Sequence, residues 1–338
     1  MDVCIIGVTG LVGTELLSLI EERKFIYNNL YLFASERNNG KEINFMDKVY
    51  IINTLNENSF DNMNQNTFVF FCSSSDISIK YLPIAERKGL YCIDNSSAFR
   101  MDVRYPLVIP EVNSDIINNN KVICNPNCST ILLLTVLGPL YKICNIRKII
   151  VSTYQAISGA GINAVKQLLR QCDELINKND FTKTPIDKQL VVNVFSHESN
   201  VSLYHGYNDE ETKMIFETKK ILNSNDIIVS PTCIRVPVIR AHTESVYVIF
   251  DDYMNEYNFR KELSKLSGIK IVDDRSNNIF PEPIMASGKD DVLVGRIKTE
   301  KHNTAFTHCI SFMICGDQIR KGAALNALQI AEHIYLKK

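Results

Sequence analysis

The sequence predicts two domains of α/β type: an N-terminal doubly wound, mostly parallel sheet and a second α+β domain on a mixed sheet. Short apolar strands alternate with helical patterns from residue 2 to residue 124, as in a parallel sheet covered on both faces. A glycine-punctuated turn joins the first strand to the first helix. From about Arg147 the strands alternate apolar and polar residues, and the helices between them lengthen. A chain of 338 residues is long enough for two such cores.

Taken in order, residues 2–7 read as a buried strand and Leu11–Ile20 as a helix. Leu30–Ala34, Phe68–Cys72, Leu90–Ile93 and Lys121–Cys124 are further strands, with Ile79–Lys88 a helix before the third of these. In the second half Lys148–Thr153, Ser245–Phe250 and Ala305–Cys315 are strands. Gly161–Asn177 is a helix, Asn177–Gln189 a polar surface loop, and Arg320–Tyr335 an amphipathic helix.

Composition narrows the function classes. Apolar content of 45% and charged content of 22% fit a soluble globular protein. A net charge of −1 gives no basic field for nucleic acid or an anionic membrane. The apolar run Ile131–Leu140 is too short to span a bilayer, and the N-terminus goes straight into a strand without the basic start of a signal peptide. Ten cysteines show no Cys-x-x-Cys pair and no zinc spacing, so no metal is expected. Scattered thiols suit a reducing, cytoplasmic setting.

One cysteine stands apart. Cys128 follows the strand Val122-Ile123-Cys124 and the turn Asn125-Pro126-Asn127, and a long apolar helix pattern comes directly after it. A cysteine at a helix N-terminus meets free N–H groups and the positive end of the helix dipole, which favour a thiolate. The same N–H groups can hold an oxyanion. Cys128 is a candidate nucleophile; a plain turn cysteine is the competing reading.

The turn Gly7-x-x-Gly10-x-x-Gly13 lets a dinucleotide pyrophosphate approach the backbone at a helix N-terminus, which makes the domain Rossmann-like. Tight packing alone could also require those glycines. After the second strand comes Ser35-Glu36-Arg37-Asn38-Asn39-Gly40-Lys41. Arg37 and Lys41 favour a 2′-phosphate and hence NADP, whereas Glu36 would suit a ribose hydroxyl.

With Asp94–Arg100, Pro110–Asn113, Asn125–Thr130, Ser152–Gly161, Arg235–Ser245 and Lys321–Glu332 added to these two segments, the chain resembles bacterial-type aspartate-β-semialdehyde dehydrogenase nearly end to end. The resemblance implies reduction of β-aspartyl phosphate to the semialdehyde with NADPH and release of phosphate, in lysine, threonine and methionine synthesis. It implies a second domain like that of glyceraldehyde-phosphate dehydrogenase. Residues 1–128 with 318–338 would bind NADP, and 129–317 would carry catalysis and dimerisation. Cys128 then lies at the edge of the first domain and His242 in the second.

Position by position, the resemblance implies Cys128 as nucleophile, His242 as acid/base and Gln155 orienting the thioester carbonyl. Arg235 would grip the substrate α-carboxylate and Glu210 the amino group, while Arg100 and Lys213 would hold the phosphate. Cofactor contacts would come from Gly7, Thr9, Gly10, Leu11, Val12, Gly13, Arg37, Asn38, Ser158, Gly159 and Gln318. Gln318 stands where the family commonly has Asn, and Glu36 and Asn38 depart from its usual cofactor loop.

The chemistry asks for these residue types. A thiolate makes the thioester that accepts hydride, a base supports it, and cations hold the leaving phosphate. Arg235 suits a carboxylate because guanidinium binds it through two parallel bonds. If 234–242 were one strand, alternation would put Arg235 and His242 on opposite faces; Pro237 can break that register. An ordinary helical charge pair is the competing reading of Lys213. Two other functions compete: N-acetyl-γ-glutamyl-phosphate reductase, which Asn127 and Ser129 argue against, and an inactive dinucleotide-sensing homologue. A homodimer with no nucleic-acid or membrane partner is expected.

Overall fold

A computed structural model describes residues 1–299 and 308–336. The chain forms two compact units, Met1–Asn127 with the C-terminal segment from Ala323, and Cys128–Gly322.

The first unit is built on six parallel strands. They are β1 (Asp2–Ile6), β2 (Leu30–Ala34), β5 (Asn53–Thr54), β6 (Thr67–Phe71), β7 (Tyr91–Asp94) and β8 (Val122–Cys124), in the order β5-β2-β1-β6-β7-β8. Between β2 and β5 the chain makes the hairpin β3 (Glu42–Phe45) and β4 (Lys48–Ile51). Strand order reverses beside β1, the switch point at which such sheets bind ligands. Helices α1 (Leu11–Glu22), α2 (Ser75–Arg87) and α3 (Pro110–Asn113) belong to this unit. The C-terminal helix, Asn326–Leu336, returns to it, burying Leu328, Ile330 and Ala331 with Leu16 and Ile20 of α1 and Phe68 of β6. Arg23 and Glu332 clamp that packing with two 2.8 Å bonds. The expected strands and helices of this half are present. Helix α2 starts four residues before the expected Ile79; its first turn, Ser75–Ser78, holds one apolar residue, Ile77, too few to show a period.

The second unit holds a seven-stranded mixed sheet among the described residues. Its strands are β9 (Ile146–Gln155), β10 (Phe195–Ser196), β11 (Ile228–Arg235), β12 (His242–Phe250), β13 (Ile269–Ile271), β14 (Val292–Thr299) and β15 (Cys309–Gly316), ordered β10-β11-β9-β12-β15-β14-β13. Of the expected strand Ala305–Cys315, residues 305–307 lie outside the described residues. β11 runs parallel to β9, and β12 runs antiparallel to both β9 and β15.

One face of this sheet is buried under α4 (Cys128–Tyr141) and α6 (Asp209–Leu222). Helix α4 is apolar all round and almost wholly buried, which is how a helix without a polar face must sit. Gly316 permits its close approach: a Cβ there would lie 2.4 Å from Leu132. Helix α5 (Ile162–Ile176) fixes the loop that follows it. The buried Gln167 donates to the carbonyls of Thr182, Ile186 and Lys188, and the buried Gln171 to those of Thr182 and Lys188.

Candidate active site

Three strand ends meet at one edge of the second sheet. β9 ends at Gln155 and β11 at Arg235, its register partner, whereas the antiparallel β12 begins at His242. All three side chains belong to the buried face, at 1%, 2% and 1% exposure. Arg235 and His242 share a face because two strands, not one, carry them. The connection 236–241 lies between, with Pro237 in it and Ala241 at φ +74°. Helix α4 covers the same face and opens at Cys128.

Cys128 Sγ lies 3.5 Å from His242 Nε2. On the other side of the ring, the backbone N–H of Ala156 donates to Nδ1 at 3.0 Å. Nδ1 therefore keeps its lone pair, and the neutral imidazole carries its proton on Nε2, toward the sulfur. Burial, with the Arg235 charge adding to it and Glu210 opposing, pushes the His242 pKa down to about 3. Other cysteines are pushed the opposite way. Burial raises the thiols of Cys72 and Cys315 to about 12, and those of Cys4, Cys92 and Cys233 rise as well.

Around this pair, Gln155 Nε2 donates to Ser129 Oγ at 2.8 Å and to Glu210 Oε1 at 3.2 Å. Glu210 is buried in the first turn of α6, whose start is fixed by a capping box between Asn208 and Glu211. Lys213, one turn along, reaches Glu210 Oε2 at 3.3 Å, so the ordinary helical charge pair is present. Gly159 lies against the site: a Cβ there would be 3.2 Å from Arg235 Nη1 and 3.6 Å from His242 Nε2. Gln318 is committed at both ends, accepting from Ala241 N–H at 2.8 Å and donating to Ser158 Oγ at 2.6 Å.

Arg235 is heavily engaged. Nε and Nη2 donate to the two oxygens of Glu198 at 3.1 and 2.6 Å, Nη1 donates to the Ala156 carbonyl at 3.0 Å, and Nη2 contacts His197 Nε2 at 2.8 Å. Burial alone would raise the Glu198 pKa; the bonds and charge of Arg235 outweigh it and hold that carboxyl below its usual range. Two positions along β12 from His242, on the same face, Glu244 is wholly buried. Neither of its carboxylate oxygens has a hydrogen-bond partner among the described residues, and burial raises its pKa well above the usual value.

The other candidates belong to the first unit. Gly7 has φ +88°, and a Cβ there would meet the Cys72 carbonyl at 2.4 Å; one on Gly13 would meet the Gly7 carbonyl at 2.3 Å. Those two glycines are required by the fold. Gly10 is different: it is the N-cap of α1, with no side-chain bond to the helix N–H groups and no acidic residue in the first turn that includes Leu11 and Val12. An uncapped helix start without a carboxylate suits a pyrophosphate. Asn38 joins this turn to the loop after β2, donating to Thr9 Oγ1 at 3.3 Å and accepting from Lys41 Nζ at 2.8 Å. Arg37 is exposed there and makes no ion pair among the described residues. Arg100 is buried and donates to the Asn95 carbonyl at 2.8 Å.

Sequence reasoning assigned no site role to Glu198, His197, Ser129 or Glu244. Ser129 was reachable, since it follows Cys128 in the turn–helix motif. His197 and Glu198 follow a two-residue strand, too short to show a period.

Residues 2–120 match the family described as semialdehyde dehydrogenase, NAD binding domain, and residues 137–321 the family described as semialdehyde dehydrogenase, dimerisation domain. Aspartate-semialdehyde dehydrogenases of Prochlorococcus marinus and Aquifex aeolicus are each 40% identical over 98% of this chain, covering 95% and 96% of their own lengths. The crystal structure of aspartate semialdehyde dehydrogenase II from Vibrio cholerae matches with a TM-score of 0.91 at 36% identity, over 99% of this chain and 98% of that one. The same Vibrio cholerae enzyme complexed with ASA matches with a TM-score of 0.92 at 35% identity, over 99% and 98%. With a dinucleotide-binding sheet followed by a mixed-sheet domain, and with likeness of this degree along nearly its whole length, the chain belongs to the aspartate-semialdehyde dehydrogenase family.

Proposed function

We propose that this protein reduces L-4-aspartyl phosphate to L-aspartate 4-semialdehyde with NADPH, releasing inorganic phosphate, in the synthesis of lysine, threonine and methionine. The observation that carries the reading is the 3.5 Å approach of His242 Nε2 to a cysteine at the start of a buried helix. The Cys128 thiolate attacks the acyl carbon, a C–S bond forms, and the C–O bond to phosphate breaks with its electron pair leaving on phosphate. The nicotinamide cofactor, when bound, supplies the hydride that reduces the resulting thioester. The thiolate of Cys128 is regenerated when the aldehyde departs. His242 keeps its proton and donates a hydrogen bond from Nε2 to the sulfur or to the oxygen developing beside it.

Gln155, anchored by Ser129, orients the thioester carbonyl. Arg235 takes the α-carboxylate and Glu210 the amino group; Lys213 and Arg100 are assigned to the phosphate. Gly7, Thr9, Gly10, Leu11, Val12 and Gly13 hold the pyrophosphate, with Ser158 and Gly159 on the nicotinamide side and Gln318 behind Ser158. The preference for NADP rests on Arg37 and Asn38 beside Lys41, a donor-rich loop at the end of β2. The unit Met1–Asn127 with the segment from Ala323 is assigned to the cofactor, and Cys128–Gly322, which takes in Cys128 and Gln318, to catalysis and dimerisation.

The protein acts as a cytoplasmic homodimer. Ile150, Tyr154 and Ile228 are 40%, 39% and 52% exposed on the sheet face away from α4, an apolar surface that a two-fold partner would cover. Light scattering tests this, and a fully active monomer would remove it. No helix among the described residues is long and apolar enough to cross a membrane. The activity itself is tested by following phosphate-dependent reduction of NADP with aspartate semialdehyde, against N-acetylglutamate semialdehyde. Preference for the second substrate would assign the chain to acetylglutamyl-phosphate reduction. No reaction with either would make it an inactive homologue.

A further inference from the structure

Arg235 is 2% exposed, and a guanidinium so buried is costly unless paired. It has five N–H donors. Glu198 takes one on Nε and one on Nη2, His197 lies on the other side of Nη2, and the Ala156 carbonyl takes one on Nη1. No edge of the guanidinium therefore offers two free parallel donors, which is what a carboxylate ligand needs. Of the groups in place, Glu198 is the exchangeable one. Its side chain is 26% exposed, whereas His197 is tied to Ser199 and Ala156 contributes backbone. Replacing one carboxylate by another leaves the charge of the buried site unchanged, so Arg235 is never stranded.

We propose that Glu198 occupies, on the Arg235 guanidinium, the place taken by the substrate α-carboxylate, and that substrate binds by displacing it. Glu198 is then an internal competitor that sets the affinity for α-carboxylate ligands. This rests on the reading of Arg235 given above. A site closed in a fraction of molecules weakens apparent affinity by that fraction, and removing the competitor restores it.

The test is steady-state kinetics of the full-length enzyme in the phosphorylating direction, with Glu198→Gln and Arg235→Lys measured side by side. Glu198→Gln should lower KM for aspartate semialdehyde roughly three- to thirtyfold and leave KM for phosphate unchanged. With 3-aminopropanal, which lacks the α-carboxylate, kcat/KM should not change. An unchanged or higher KM for the semialdehyde in Glu198→Gln, with Arg235→Lys raising it, overturns the displacement and leaves the role of Arg235 standing. An unchanged KM in Arg235→Lys overturns that role itself. Should Glu198→Gln not fold, a crystal structure of the wild-type enzyme with aspartate semialdehyde decides. Glu198 turned away with the ligand carboxylate on Nε and Nη2 supports the proposal, and Glu198 still on those atoms overturns it.

Discussion

The Ala156 backbone N–H and His242 Nδ1 are 3.0 Å apart, and that one bond determines which ring nitrogen can carry a proton toward Cys128. A donor at Nδ1 leaves Nε2 protonated in the neutral ring, and burial disfavours the doubly protonated form. His242 therefore faces the sulfur as a neutral donor.

We predict that His242→Ala lowers kcat by about 10²–10³, the range for loss of one donor aimed at developing negative charge, and that His242→Gln, which keeps an N–H donor, loses less. Because the folded-state pKa lies near 3, the wild-type pH–rate profile should have no limb near 6.5 that His242→Gln removes. The stability consequence has a definite sign. Between pH 6.5 and about 3 the unfolded chain binds a proton that the folded protein refuses, so this contribution is full above 6.5 and fades as the pH falls. Urea unfolding of wild type and His242→Gln at pH 7 and pH 4.5 checks it: the variant should lose less stability on acidification.

Cys128→Ala should abolish turnover, and Cys128→Ser should be nearly as damaging, since an alcohol is scarcely ionised at neutral pH. Iodoacetamide should label Cys128 ahead of Cys72, Cys233 and Cys315, whose thiols burial holds protonated. Peptide mapping after brief labelling reads this out, and wild-type activity in Cys128→Ala would end the covalent mechanism.

Arg235→Lys keeps the charge and loses the planar fork. A fall in kcat/KM of roughly tenfold to a thousandfold is expected, about 1.4–4 kcal/mol, with cofactor affinity little changed. Normal substrate kinetics would move Arg235 to a structural role.

Arg37→Ala should weaken NADPH binding by about 1.5–3 kcal/mol, the scale of a charged hydrogen bond, and NADH binding less. Fluorescence titration with both cofactors discriminates; equal losses would mean that Arg37 does not read the 2′-phosphate.

Glu244 is expected to cost stability at neutral pH. Its folded pKa is raised above the ordinary 4.5, so its stabilising contribution is present below 4.5 and lost as the pH rises. Relative to Glu244→Gln, wild type should lose up to about 1.4 kcal/mol for each pH unit above 4.5. Parallel stability curves for the two proteins between pH 4.5 and 7 would refute this.

The parallel sheet was legible because its strands are buried on both faces and read as apolar runs. Cys128 was legible because strand, turn and helix are local signals. β11 was harder: Pro231 lies within it, and proline argues against a central strand. The structure accommodates Pro231 because β10 pairs only with Ile234 and Arg235, leaving the flank of β11 open at the proline. The hairpin β3–β4 turns through Met46 and Asp47, both at positive φ without a glycine to announce it. The Arg235–Glu198 pair joins residues 37 positions apart, and no local pattern in either segment encodes it.

The meeting of two strand ends and one strand start at the second sheet bears on where this chain can change length. β12 is held on both sides, by β9 and by β15, in unbroken register from Thr243 to Ile249. One residue inserted within that stretch would shift His242 by one position, about 3.3 Å along the strand and onto the opposite face, and so break the contact with Cys128. Insertions that the enzyme survives should map to exposed connections such as 223–226, between α6 and β11, while single-residue insertions within β9, β11 or β12 should eliminate activity.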